Sequence, residues 1–133
     1  MTYFPDSNIC IYFLKGLYPQ IARSFGERHP REIMISSIVK AELLYGAEKS
    51  ARRDRNLKAI VDFLEPFETA GFDDEAAKEY AYLRSALEKK GSPIGPNDLM
   101  LAATVLARGG VLVTNNTREF RRVRGLRLEN WCS

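Results

Sequence analysis

The sequence predicts an α/β fold built on a mainly parallel sheet. Short β-branched or aromatic runs alternate with longer stretches of helical periodicity, the pattern of strand–helix–strand units. Val111-Leu112-Val113-Thr114 is the clearest strand, set off by Gly109-Gly110 from the helical segment before it. The chain has 133 residues, 45% of them hydrophobic, which suits one compact domain over residues 1–133 with a real core.

The elements follow in order. Tyr3-Phe4-Pro5 reads as a short strand, with Pro5 tolerated near its end. Asp6-Ser7-Asn8 leads into a helix over Ile9–Leu14 that stops at Gly16, and Tyr18–Glu27 is a second helical segment. Ile33-Met34-Ile35 is a short buried strand. Ser36-Ser37 caps a helix over Ile38–Ser50, whose Val39, Leu43, Gly46 and Ala47 share one side. Arg53–Leu64 is the next helix, with Leu57, Ile60, Val61 and Leu64 as its apolar stripe. Phe67-Glu68-Thr69 is a weak strand. Asp73-Asp74-Glu75 opens a long helix to Lys90, acidic at its start and basic at its end, as the helix dipole favours. Gly91–Pro96 is a loop, and Asn97-Asp98 starts a helix through Leu106 or Ala107.

Composition removes several functions. No apolar run approaches the roughly 20 residues that span a bilayer, and Met1–Asp6 lacks the basic and apolar regions of a secretion signal, so a cytoplasmic protein is expected. Cys10 and Cys132 do not make a disulfide scaffold, and a reducing compartment disfavours a bridge. His29 is the only histidine. A nuclease with two imidazoles is therefore excluded, as are zinc sites needing several His and Cys ligands. Net charge is only +3, but basic residues cluster at Arg52, Arg53, Arg55 and Lys58, and again at Arg118, Arg121, Arg122, Arg124 and Arg127. Such clusters suit a polyanion. Each alone also reads as a solvated surface.

In a parallel sheet, ligands bind beyond the carboxyl ends of the strands. Asp6 follows the first strand, and Asn115-Asn116 follow Val111–Thr114. Glu42 lies on the helix after the Ile33–Ile35 strand, and Asp98 opens the helix leading to Val111. All four regions can reach one sheet edge. Hard oxygen ligands there suit Mg²⁺ or Mn²⁺. Structural readings stand beside this one: Asp6 as an N-cap, Glu42 as a solvated helix residue, Asp98 as a first-turn acid, and Asn116 with Glu119 as a polar turn opening a helix.

At these residues the sequence resembles the PIN-domain ribonucleases, and within them the VapC toxins of VapBC toxin–antitoxin modules. Asp6-Ser7-Asn8-Ile9 is similar to the family's Asp-Thr-Asn-Ile motif. Ile35-Ser36-Ser37 through Ala41-Glu42-Leu43-Leu44-Tyr45-Gly46 is similar to its second motif. Gly91–Asp98 resembles the loop before the third acid, and Val113–Phe120 the fourth motif. Trp131 fits the usual C-terminal tryptophan. One residue departs: many relatives carry Asp where this chain has Asn116, which leaves the fourth charge absent or supplied by Glu119.

The resemblance implies a PIN-like fold, a central parallel sheet of four to five strands with helices on both faces. It implies Mg²⁺-dependent hydrolysis of RNA phosphodiesters, with Mn²⁺ as a substitute. Asp6 and Asp98 would hold the metal, Glu42 and Glu119 complete the catalytic set, and Ser7, Asn8, Thr114 and Asn116 support it. Arg118, Arg121 and Arg122 would hold RNA. The implied substrate is tRNA, most specifically the initiator tRNA anticodon loop cut by the enterobacterial VapC group. The implied partners are a VapB-like antitoxin that silences the enzyme, a second copy in a homodimer, and operator DNA reached only through the antitoxin. The rival readings are a catalytically impaired PIN-fold module that binds RNA or protein, and a different α/β phosphate enzyme. The latter is disfavoured by the lack of a lysine in the motif cores.

Overall fold

A computed structural model describes residues 1–133. Its strands are β1 (Tyr3–Pro5), β2 (Met34–Ser36), β3 (Glu68–Ala70), β4 (Val111–Val113) and β5 (Arg127–Glu129). Its helices are α1 (Ser7–Leu14), α2 (Pro19–Gly26), α3 (Ser37–Glu48), α4 (Arg53–Leu64), α5 (Asp74–Lys89), α6 (Pro96–Ala107) and the single turn α7 (Thr117–Phe120).

Every strand pairing is parallel. β4 lies between β1 and β5, β2 pairs with β3, and a parallel bridge from Tyr3 to Ile33 joins the two groups. The order is thus β3-β2-β1-β4-β5, five strands flanked by seven helices. The chain builds outward from β1 on one side, then returns to the other side at β4. That reversal makes the carboxyl ends of β1 and β4 the topological switch point, where α/β sheets bind ligands.

Local chemistry sets the helix starts. The Asp6 carboxylate accepts from the Ile9 amide at 2.9 Å, so α1 begins at Ser7, two residues before its apolar run. Ser36 caps α3 through the Ile38 amide at 3.1 Å, and Asp73 caps α5 through Ala76 at 3.0 Å. Pro96 occupies the first turn of α6, where its missing N–H costs nothing. Tyr18 is not helical as expected: it takes a left-handed φ of 54° and lies outside α2, which begins at Pro19.

The core is one cluster that includes Phe4, Ile33, Ile35, Leu101, Leu112 and Val113. α6 is buried on most sides, at Leu99, Leu101, Ala102, Ala103, Thr104 and Val105, which fixes Asp98 against the interior. An aromatic cluster centres on Phe25, with ring centroids 4.7 Å from Phe13 and 5.2 Å from Trp131. Each such pair adds about 0.5–1.5 kcal/mol beyond its burial. Phe25 thereby ties α2 to α1 and to the C-terminal segment.

β5 is the strand not anticipated. Arg127-Leu128-Glu129 is polar and partly exposed, so it lacks a buried strand's signature. As an edge strand it needs little apolar surface, and its charges discourage further pairing.

Candidate active site

Four carboxylates gather at the switch point. Asp6 is delivered by the end of β1, where its amide donates to the Val113 carbonyl at 2.9 Å. Glu42 comes from the second turn of α3, Asp98 from the first turn of α6, and Glu119 from α7.

Asp6 is buried, and that burial raises its pKa. Hydrogen bonds from Thr114 and from the Ile9 and Asn8 backbone oppose the shift, while the Glu42 charge adds to it. Thr114 is fully buried near Asp6, where its hydroxyl favours the ionised carboxylate, and its Oγ1 accepts from the Asn116 amide at 2.9 Å. Asn8 contributes through its backbone, and the residue itself is exposed.

Asp98 is pushed up to about 6. Desolvation is the main cause, followed by the charges of Glu119, Glu42 and Asp6 and a hydrogen bond with Glu119. Its titration senses all three other acids, so the four share one electrostatic site. The Ser7 hydroxyl donates to Glu42 Oε1 at 2.6 Å, and the Asn116 amide Nδ2 donates to Glu119 Oε2 at 2.8 Å. Asn116 therefore orients the acid one turn further on, and Glu119 is the acid whose charge acts most strongly on Asp98.

The cluster fits a divalent cation by donor chemistry, since all its donors are hard oxygens. No three of its acids close on a common point as direct ligands.

The arginines divide. Arg118 and Arg121 are exposed and engage none of the ion pairs of the fold. Arg122 instead donates to the Pro93 carbonyl at 3.2 Å, bracing the loop that presents Asp98. His29 caps a short 3₁₀ turn, Pro30–Glu32, by accepting from Arg31 at 3.1 Å, and so has a structural part. Both cysteines are free thiols, and Cys10 is buried beside Asp6, whose charge helps raise its pKa.

Comparison with known proteins shows the family. A model of the PIN domain matches residues 3–126. The tRNA(fMet)-specific endonuclease VapC of Salmonella typhimurium is 41% identical over 132 residues, covering 99% of each chain. The crystal structure of DNA-bound VapBC from Salmonella typhimurium superposes with a TM-score of 0.93 at 41% identity, covering 99% of each chain. VapBC2 from Rickettsia felis, bound to a DNA fragment from its promoter, gives 0.92 at 38% identity, covering 98% of this chain and 99% of that one.

Proposed function

The chain belongs to the PIN-domain family, among its VapC ribonucleases, and from that premise we propose that it is the toxin of a type II toxin–antitoxin pair, a Mg²⁺-dependent endoribonuclease that cuts initiator tRNA. The observation that carries this reading is the coupling of Asp98 to Asp6, Glu42 and Glu119 at the sheet's switch point. Four acids in a partly desolvated cleft repel one another, and a bound cation offsets that cost at neutral pH, where the acids would otherwise need protons.

Nucleases of this family generally depend on a divalent metal. In this chain Asp6 and Asp98 would hold it, with Mn²⁺ able to replace Mg²⁺. When bound, the cation supplies positive charge to the scissile phosphate and to the oxygens that gain charge during displacement. Glu42, hydrogen-bonded by Ser7, orients a water and accepts its proton. The water oxygen bonds to phosphorus, one P–O ester bond breaks, and the leaving ribose oxygen takes up a proton. Glu119, fixed by Asn116, holds further negative charge toward the cation. Arg118 and Arg121 offer unpaired guanidinium groups to phosphates beside the cut.

The same reading assigns a VapB-type antitoxin as the silencing partner, a homodimer as the working unit of the toxin, and contact with operator DNA through the antitoxin alone. It fits an intracellular site of action, where tRNA is found. The full-length similarity to chains of VapBC complexes supports these assignments.

The test is direct. Purified protein is incubated with total tRNA and Mg²⁺, and the new 5′ ends are mapped. Cleavage in the anticodon loop of initiator tRNA, abolished by EDTA and reduced at least a hundredfold by Asp6→Asn or Asp98→Asn, is expected. Cleavage confined to ribosomal RNA would overturn the substrate, and full activity in folded Asp98→Asn would overturn the site.

A further inference from the structure

Glu42, Tyr45 and Lys49 form one stripe along the outer side of α3. Their spacing, three residues and then four, puts them on a single helix face. The opposite face carries Val39, Leu43 and Ala47, all buried. Tyr45 is 64% exposed and belongs to none of the aromatic pairs that build the core. The Lys49 ammonium lies 4.8 Å from its ring centroid, so one face of the ring is covered by a cation and the other is open.

The charge around this ring is selective. Arg53 is gripped by Glu48 in two hydrogen bonds of 2.8 Å and by Asp54, and Lys58 is paired with Asp62. Arg52 and Arg55 have no carboxylate partner among the ion pairs. Arg55 also lines, with Lys15 and Glu42, a groove of about 460 Å³ between α1, α3 and α4. Free cations thus border the groove beside the active-site glutamate, at Lys15 and Arg55, and Arg52 follows Lys49 by three residues in the turn before α4.

We propose that this stripe is the RNA path out of the site: an unpaired base stacks on the open face of Tyr45, and the phosphates flanking it rest on Lys49 and Arg52. The proposal rests on the endoribonuclease reading and adds to it a single-stranded substrate segment. An exposed aromatic face takes a splayed base, whereas a duplex keeps its bases stacked on one another. Continuity with Glu42 and the excess of unpaired cations favour RNA over a protein partner as the occupant.

The experiment measures binding of a fluorescein-labelled single-stranded RNA, and of a duplex of equal length, by anisotropy. The protein carries Asp98→Asn so that nothing is cut, and circular dichroism checks each fold. Tyr45→Ala is expected to weaken single-strand binding about tenfold, in line with stacking on one aromatic ring, and to leave duplex binding unchanged. Tyr45→Phe should restore it. Lys49→Gln should flatten the log–log salt dependence by about 0.7, the contribution of one phosphate contact on a single strand. Unchanged RNA binding in a folded Tyr45→Ala protein overturns the proposal, and the more firmly if the substitution alters the sedimentation of the toxin or its complex, which marks a protein interface. Metal-dependent cleavage by the wild-type protein is assayed in parallel. Its absence would overturn the nuclease reading alone, since the binding comparison needs no catalysis.

Discussion

The Ser7 hydroxyl donates to Glu42 at 2.6 Å, joining the first turn of α1 to the second turn of α3 across 35 positions. A bond from hydroxyl to carboxylate is short and strong because the acceptor is charged. It holds Glu42 toward Asp6 rather than toward solvent. Ser7→Ala should therefore lower kcat/KM for tRNA cleavage roughly tenfold, the loss of one charge-assisted hydrogen bond, while the circular dichroism spectrum stays unchanged. Ser7→Thr keeps the hydroxyl and should stay within a few-fold of the parent.

The acids predict opposite effects of pH on activity and on stability. Asp98 ionises near 6 in the folded protein, so Mg²⁺ affinity and cleavage should rise as pH increases through that value. The metal-free fold should instead lose stability between the usual carboxylate value of 3.8 and about 6. The folded state holds the proton more tightly than the unfolded chain, so stability is greatest at the acidic end of that window. Differential scanning fluorimetry in EDTA from pH 4.5 to 7.5 measures the trend.

Neutralising the same residue separates the two effects. Asp98→Asn should abolish cleavage yet raise the Tm of the metal-free protein at pH 7. Solvent screens this half-exposed group, so a gain of only about 1 kcal/mol is expected, or roughly 3–5 °C. Glu119→Gln should move the Asp98 titration downward, because Glu119 is its strongest charged neighbour. Carboxyl carbon NMR on metal-free protein reads that shift directly.

Gly110 has no room for a side chain. A Cβ there would stand 2.5 Å from Cε1 of Phe4 and 3.0 Å from the Thr2 carbonyl. Phe4 is fully buried in the core and cannot withdraw. Gly110→Ala should cost about 1–3 kcal/mol, the usual penalty of overpacking. Thermal denaturation in the absence of metal measures it.

Arg28 is a second fixed point. Its guanidinium lies 4.5 Å from the Tyr3 ring centroid and 4.7 Å from that of Trp131, and it donates to the Ser24 carbonyl at 2.8 Å. Arg28→Ala should destabilise the fold by about 1–2 kcal/mol through lost cation–π and hydrogen-bond contacts. Trp131 is the sole tryptophan, so its emission should shift to longer wavelength in the folded variant.

Much of this was legible in the residues. Arg53–Leu64 forms α4 with the expected bounds, and α3, α5 and α6 differ by a residue or two at their caps. Helices carry long periodic signals, so they read well. Strands of three residues do not, and Arg127–Glu129 hid inside an arginine-rich stretch because an edge strand needs no apolar run. The acids were each ambiguous in isolation. Asp6 shows why, since it caps α1 and also faces Glu42 and Thr114. The bonds from Ser7 to Glu42 and from Asn116 to Glu119 depend on rotamers that no spacing rule encodes. The bracing of Pro93 by Arg122 is of the same kind.

The position of β1 has a consequence for how the protein is made. It is the first strand to be synthesised and the middle strand of the sheet, and one of its two neighbours, β4, is Val111–Val113. A nascent chain halted before that segment has Asp6 and Glu42 but no Thr114 or Glu119 to complete the cluster. Catalytic competence therefore arrives late in translation, after most of the chain has been synthesised.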